Sequence, residues 1–171
     1  YASSGNGTIV QLSAELFKAQ ADVFVVHIPY KGSTPGVVGT MSGETQMMFT
    51  GVSSAVAHIK SGRLKALSIS GPKRSPALPS VPTAGESGLP GFEADFWIGL
   101  FAPAGTPPAV VARLNSEVNR VLTSQQVKEK FLTTGVDSMV ISPEAFGAIM
   151  TKDIYRWGKT VQMSGVRLQM V

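Results

Sequence analysis

The run Val23-Phe24-Val25-Val26-His27-Ile28 limits the possible folds more than any other stretch. It is β-branched and apolar, so it reads as a buried strand. A helical pattern precedes it, with Leu12, Leu16 and Phe17 recurring at helical spacing between Thr8 and Ala19. A bend follows it, Pro29-Tyr30-Lys31-Gly32-Ser33-Thr34-Pro35. There Ser33 or Thr34 can cap a short helix with Pro35 in its first turn. Gly36 and Gly39 weaken that helix. Thr45 to Thr50 reads as a second strand, Ser53 to Ser61 as a helix ending at Gly62, and Leu64 to Ser70 as a third strand. Strand and helix alternate over short connections, which predicts α/β architecture with a parallel, helix-covered sheet.

The segment from Gly71 to Gly91 breaks the pattern. It holds Pro72, Pro76, Pro79, Pro82 and Pro90, too many for a helix or a central strand. It reads as a long ordered loop or crossover between lobes. Phe96 to Ala102 and Val136 to Ile141 are further strand candidates. Thr106 can cap a helix opening at Pro107 or Pro108 and running through Leu122. Ser124 can cap a continuation that ends at Gly135. Ser142-Pro143-Glu144 opens a last helix, with Phe146, Ile149, Met150, Ile154, Trp157 and Val161 on one stripe.

Composition excludes several functions. Of 171 residues 43% are hydrophobic and 15% charged, which suits a packed core rather than disorder. The net charge is +4, but the basic residues are scattered, with no run longer than Lys73-Arg74. This argues against nucleic acid and for a weak attraction to anions. There is no cysteine, and His27 and His58 lack metal-ligand spacing, so neither a metal nor another cofactor is expected. No apolar stretch has the length of a membrane span.

Three strand-to-helix junctions are candidate sites. Ser3-Ser4-Gly5-Asn6-Gly7-Thr8 precedes the first helix, and such a glycine-rich helix start favours a carboxylate or phosphate. It is equally an ordinary capped helix start. Tyr30, Lys31, Gly32 and Ser33 offer hydroxyls and a close backbone approach, although an exposed, solvated lysine is the commoner outcome. Thr50-Gly51-Val52-Ser53 is the third junction. Ligands of open α/β sheets sit outside the carboxyl ends of strands, and these three junctions fall on one such edge. Catalytic residues are not evident. His27 reads as a hydrogen-bonded core histidine and His58 as structural or solvated. Glu15, Glu44, Asp95 and Asp153 form no carboxylate pair, and no Gly-x-Ser-x-Gly elbow is present. Trp97 and Trp157 are most simply core residues.

Five stretches, "YASSGNGT", "VHIPYKGSTP", "AHIKSGRLKALSIS", "KRSPALPSVPTAGESGLPGFE" and "FWIGLFAPAGTP", occur in this order. Together they closely resemble the Bug/TctC-like solute receptors of tripartite tricarboxylate transporters, across essentially the whole chain. The resemblance implies a type II periplasmic-binding-protein-like fold, in which two α/β lobes close on a small carboxylate. The ligand would be a di- or tricarboxylate, an amino acid or an aromatic acid. It implies binding without chemistry, a periplasmic location with no signal peptide in this chain, and delivery to a membrane permease. Ser3, Ser4, Gly5, Asn6, Gly7 and Thr8 match the family's carboxylate loop, and Tyr30, Lys31, Gly32 and Ser33 its second ligand loop. Thr50 stands where many members have an acidic residue, so recognition of a ligand amino group is in doubt. Phe96-Trp97 match the return strand near the hinge, which adds Trp97 to the ligand-binding set. Family members normally extend well ahead of "YASSGNGT". Residues 1–92 are therefore expected to be the second lobe nearly complete, and 93–171 the C-terminal part of the first. Such a fragment is expected to self-associate. The rival reading is the effector-binding domain of a transcription regulator, which shares the two-lobed fold.

Overall fold

The structure, a computed structural model, describes residues 1–166. Its centre is a short parallel sheet. Strand β1 (Ala2–Ser3) pairs with β2 (Ile28–Pro29), placing Ala2 opposite Ile28 and Ser3 opposite Pro29. On its other side Ala2 forms a parallel bridge to Met48, and its N–H donates to the Met47 carbonyl at 2.9 Å. Three parallel passes thus lie side by side. Each runs into a helix: α1 (Ile9–Ala21), α2 (Ser33–Met41) and α3 (Val52–Lys60). Three more helices follow among the described residues, α4 (Pro108–Thr123), α5 (Gln125–Thr134) and α6 (Pro143–Ser164). Helix α1 packs on α6, α2 on β1 and α3, α3 on α5, and α4 on both α5 and α6.

Local chemistry sets the helix boundaries. Pro108 and Pro143 occupy first-turn positions of α4 and α6, where a missing N–H costs nothing. The Ser142 hydroxyl accepts from the Ala145 N–H at 3.2 Å. Gly135 and Gly165 end α5 and α6 with φ of 70° and 65°, a conformation glycine adopts without strain. Helix α2 starts at Ser33 itself with Gly32 as its N-cap, so neither Ser33 nor Thr34 is the cap. The cap has φ 111°, which a serine would resist. Pro107 replaces Thr106 as the cap of α4, because the Thr106 hydroxyl donates back to the Pro103 carbonyl at 2.8 Å.

The expected strands are mostly not formed. Of Val23 to Ile28 only Ile28 joins a ladder, and the run is not buried, since Phe24 is 87% exposed. Thr45 to Thr50 contributes the single bridge at Met48, and Leu64 to Ser70 the single parallel bridge from Ile69 to Thr83. Phe96 to Ala102 and Val136 to Ile141 carry no strand, and Ile98, Leu100, Phe101, Met139 and Val140 are exposed. A strand exists only as one half of a hydrogen-bonded pair. These segments have strand composition, but no segment of the described chain lies beside them to complete a ladder.

Two apolar clusters hold the molecule together. Val56 of α3 packs with Leu78 and Val81, joined by Val52, Ile59 and Ile69. Ala84, Phe92 and Ala94 pack with Leu16 and Phe17 of α1, Phe49, and Trp157 of α6. The proline-rich segment therefore supplies core side chains, and its ordering as a long loop is observed. The Arg74 guanidinium clamps both Glu86 carboxylate oxygens at 2.9–3.2 Å, and Glu86 accepts from the Thr83 N–H at 2.7 Å.

Candidate functional site

The carboxyl ends of the three parallel passes form one edge, and backbone hydrogen bonds join the first two loops there. The Tyr30 N–H donates to the Ser3 carbonyl and the Gly32 N–H to the Ser4 carbonyl, both at 3.0 Å. Close approach explains several glycines. A side chain at Gly36 would strike Met48, and one at Gly39 would strike the Tyr30 ring and hydroxyl. The Tyr30 ring therefore lies on α2 and braces the second loop.

Three helix N-termini open on this edge. Their N-caps, Thr8, Gly32 and Gly51, make no side-chain capping bond, and no acidic residue occupies the first turn of α1, α2 or α3. Exposed Lys31 stands at the second bend. First-turn N–H groups and aligned helix dipoles make such an edge attractive to an anion. The Thr50 hydroxyl, at the third pass, is buried and has no hydrogen-bond partner among the described residues.

The sequence-named residues divide into groups. Ser4, Gly5, Gly7 and Thr8 are half-buried and Asn6 is exposed, so all reach the surface of the first loop. The Thr8 hydroxyl turns inward and donates to the Gly5 carbonyl at 2.7 Å, which shapes the loop. Ser3 is fully buried, with its hydroxyl engaged inside the loop. Lys31, Gly32 and Ser33 lie at the second junction and Thr50 at the third. Trp97 lies against α6: its indole N–H donates to Asp153 at 2.8 Å, and its ring meets Phe146 edge-on at 4.8 Å. Its neighbour Phe96 is the ring that approaches the third junction, about 3.1 Å from where a Gly51 side chain would begin.

A buried network behind the first loop was only half visible in the sequence. His27, expected as a hydrogen-bonded core residue, is hydrogen-bonded through both ring nitrogens but only half-buried. Its Nε2 lies 2.5 Å from the Ser3 Oγ, and its Nδ1 lies 3.2 Å from the Gln11 side-chain nitrogen. The Tyr1 ring stacks on the imidazole at 4.9 Å. Burial lowers the His27 pKa, and nearby Glu15 opposes that shift. The Tyr1 hydroxyl donates to Glu15, and burial followed by that carboxylate raises its pKa. Gln11 carried no signal in the sequence, because a helix-face glutamine is usually solvated.

Two concavities lie away from this edge, along α4. One, of about 370 Å³, is lined by Ala109, Val110, Arg113, Leu114 and Glu117. The other lies between the starts of α4 and α6. Among the described residues no cluster of three or more His, Asp or Glu could hold a metal ion, and no helix is long and apolar enough to cross a membrane.

Residues 1–166 match the profile of the tripartite tricarboxylate transporter family receptor, TctC. A Pseudomonas sp. protein from the tcbD-tcbE intergenic region is 39% identical over 162 residues, covering 94% of this chain and 48% of that protein. A Pseudomonas knackmussii protein from the clcB-clcD intergenic region is 35% identical over 159 residues, covering 92% of this chain and 94% of that protein. Apart from that short relative, the chain spans about half the length of the curated relatives it matches. An R. palustris structure with adipate superposes with a TM-score of 0.91 at 31% identity, over 97% of this chain and 56% of that one. MatC from Rhodopseudomonas palustris with bound malate gives 0.85 at 32%, over 94% and 55%. The fold is thus that of half a periplasmic binding protein of the α/β type, and the chain belongs to the tripartite tricarboxylate transporter receptor (TctC) family.

Proposed function

We propose that this chain forms the carboxylate-binding wall of an extracytoplasmic solute receptor, which passes its ligand to a membrane permease of the tripartite type. The observation that carries this reading is the convergence of three helix N-termini, without capping side chains or acidic first turns, on one sheet edge. Relatives whose structures hold adipate and malate support a small carboxylate as the ligand class. Residues 1–92 then supply the ligand loops and 93–171 the hinge-side part of the opposite lobe. Ser4 and Ser33 offer N–H and hydroxyl donors, and the Thr50 hydroxyl adds one where an acidic residue would repel the anion; Gly5, Gly7 and Gly32, whose own N–H groups are held inside the loops, let the ligand approach the backbone closely. Ser3, Asn6, Thr8 and Tyr30 shape the loops, and Trp97 fixes the return segment to α6. Lys31 steers the ligand at the rim.

Binding proceeds without chemistry. The contact between a serine hydroxyl and an imidazole seen among the described residues, Ser3 with His27, is fully buried at the serine, and the far imidazole nitrogen faces the Gln11 amide rather than a carboxylate. A serine nucleophile needs an accessible hydroxyl and a base oriented by an acceptor. Calorimetric titration of the chain with adipate and with malate tests the reading. An open wall should bind with a Kd of about 1 mM, roughly −4 kcal/mol. Equal binding of the neutral diamide of adipate would refute it.

A further inference from the structure

The network behind the first loop has a single consistent proton arrangement. The Gly7 N–H donates to the Gln11 side-chain oxygen at 2.6 Å, and a backbone N–H can only donate. The oxygen of Gln11 is therefore fixed toward Gly7, and its NH2 faces the His27 Nδ1 at 3.2 Å. That nitrogen must accept, so His27 is neutral and carries its proton on Nε2. Nε2–H then donates to the Ser3 Oγ, and the Ser3 hydroxyl donates to the Gly5 carbonyl at 3.1 Å. The Gly5 N–H returns to the Ser3 Oγ at 3.1 Å. One imidazole thus holds both glycines of the loop, which lie at φ 132° and 72°.

We propose that His27 is the positioning residue of the carboxylate loop, and that its protonation releases the Ser3–Thr8 conformation and weakens ligand binding in acid. This rests on the carboxylate-receptor reading of the same loop. A proton added at Nδ1 would face the Gln11 NH2, donor against donor. Turning the Gln11 amide to accept it would place that NH2 against the Gly7 N–H. Either the repulsion pushes the imidazole away from the Ser3 hydroxyl that holds Gly5, or Gly7 loses its acceptor. The other titratable side chains near the imidazole, among the described residues, are the Tyr1 hydroxyl just ahead of β1 and Glu15 and Lys18 from α1. Burial and Lys18 oppose protonation and Glu15 favours it, and burial, the largest of these, lowers the His27 pKa.

Two measurements decide it. In ligand-free protein, NMR should show the Nε2–H tautomer and Gly5 and Gly7 amide shifts that titrate together with His27. Amides that ignore the His27 titration, or an Nδ1–H tautomer, overturn the proposal. Adipate affinity between about pH 7.5 and 5 should fall at least about threefold more in the wild type than in His27→Gln. Glutamine keeps an acceptor and a donor but cannot be protonated, so its profile reports the ligand's own titration. Gln11→Glu should accept from both Gly7 and a protonated His27 and so remove the acid sensitivity. Parallel wild-type and His27→Gln profiles overturn the proposal. Absence of adipate and malate binding at about pH 7.5 would instead refute the receptor reading, while the NMR titration still decides the role of His27 in the loop.

Discussion

Replacing Phe92 with alanine should destabilise the protein more than any loop substitution. Phe92 is 3% exposed and sits where the proline-rich segment, α1 and the third pass meet. Its ring lies 5.8 Å from that of Phe49 and 6.3 Å, edge-on, from that of Phe17. Truncating a buried phenylalanine costs about 3–5 kcal/mol in lost transfer energy and unfilled cavity. Its aromatic pairs account for roughly 0.5–1.5 kcal/mol each, part of which that range already contains. Domains have total stabilities of about 5–15 kcal/mol, so about a fifth or more is lost. With a urea slope of about 2 kcal/mol/M, the midpoint should fall by roughly 1.5–2.5 M. Urea unfolding followed by tryptophan fluorescence reads this directly, because Trp157 packs on the same cluster. Leu67→Ala is the control. Leu67 is 68% exposed and should change stability by no more than about 0.5 kcal/mol. Equal effects of the two substitutions would show that the Phe92 cluster is not the core of this fold.

Four further outcomes are expected. Gly39→Ala should destabilise by roughly 1–3 kcal/mol in chemical unfolding, because a methyl group there collides with Tyr30 on the α2 face. Arg74, then the Thr83 N–H, hold the Glu86 carboxyl down to about 2. Because the folded pKa is depressed, that stabilisation is present above the usual carboxylate pKa and fades as pH falls from about 4.5 toward 2, so Glu86→Gln should flatten the acid limb of the stability profile. Lys31→Met should slow carboxylate association and weaken its salt dependence in stopped-flow measurements, with little change in dissociation, since Lys31 is exposed at the rim. The 171-residue chain should self-associate in sedimentation velocity, because Phe96, Ile98, Leu100, Phe101, Met139 and Val140 form an exposed apolar set; a clean monomer would contradict this.

The sequence by itself determined the helices, the order of the junctions and the family. Helices satisfy their hydrogen bonds within one segment, so stripes such as Leu12-Leu16-Phe17 and stops such as Gly135 and Gly165 can be read locally. The glycine-rich junctions were legible for the same reason, since a required left-handed residue is a local demand. Strand formation was decided only by tertiary structure. Val23 to Ile28 and Phe96 to Ala102 have strand composition, yet a ladder needs a second segment at the right distance, and residue order does not announce that partner. The roles inside the loop were also decided in three dimensions. Ser3 and Ser4 look alike in sequence, but the parallel register buries Ser3 against His27 and leaves Ser4 nearer the surface. Trp97, which the resemblance adds to the ligand-binding set, is tied to α6 through Asp153, and its neighbour Phe96 is the ring near Gly51. Composition sets which contacts a side chain can make, and packing between segments distant in sequence selects the one it makes.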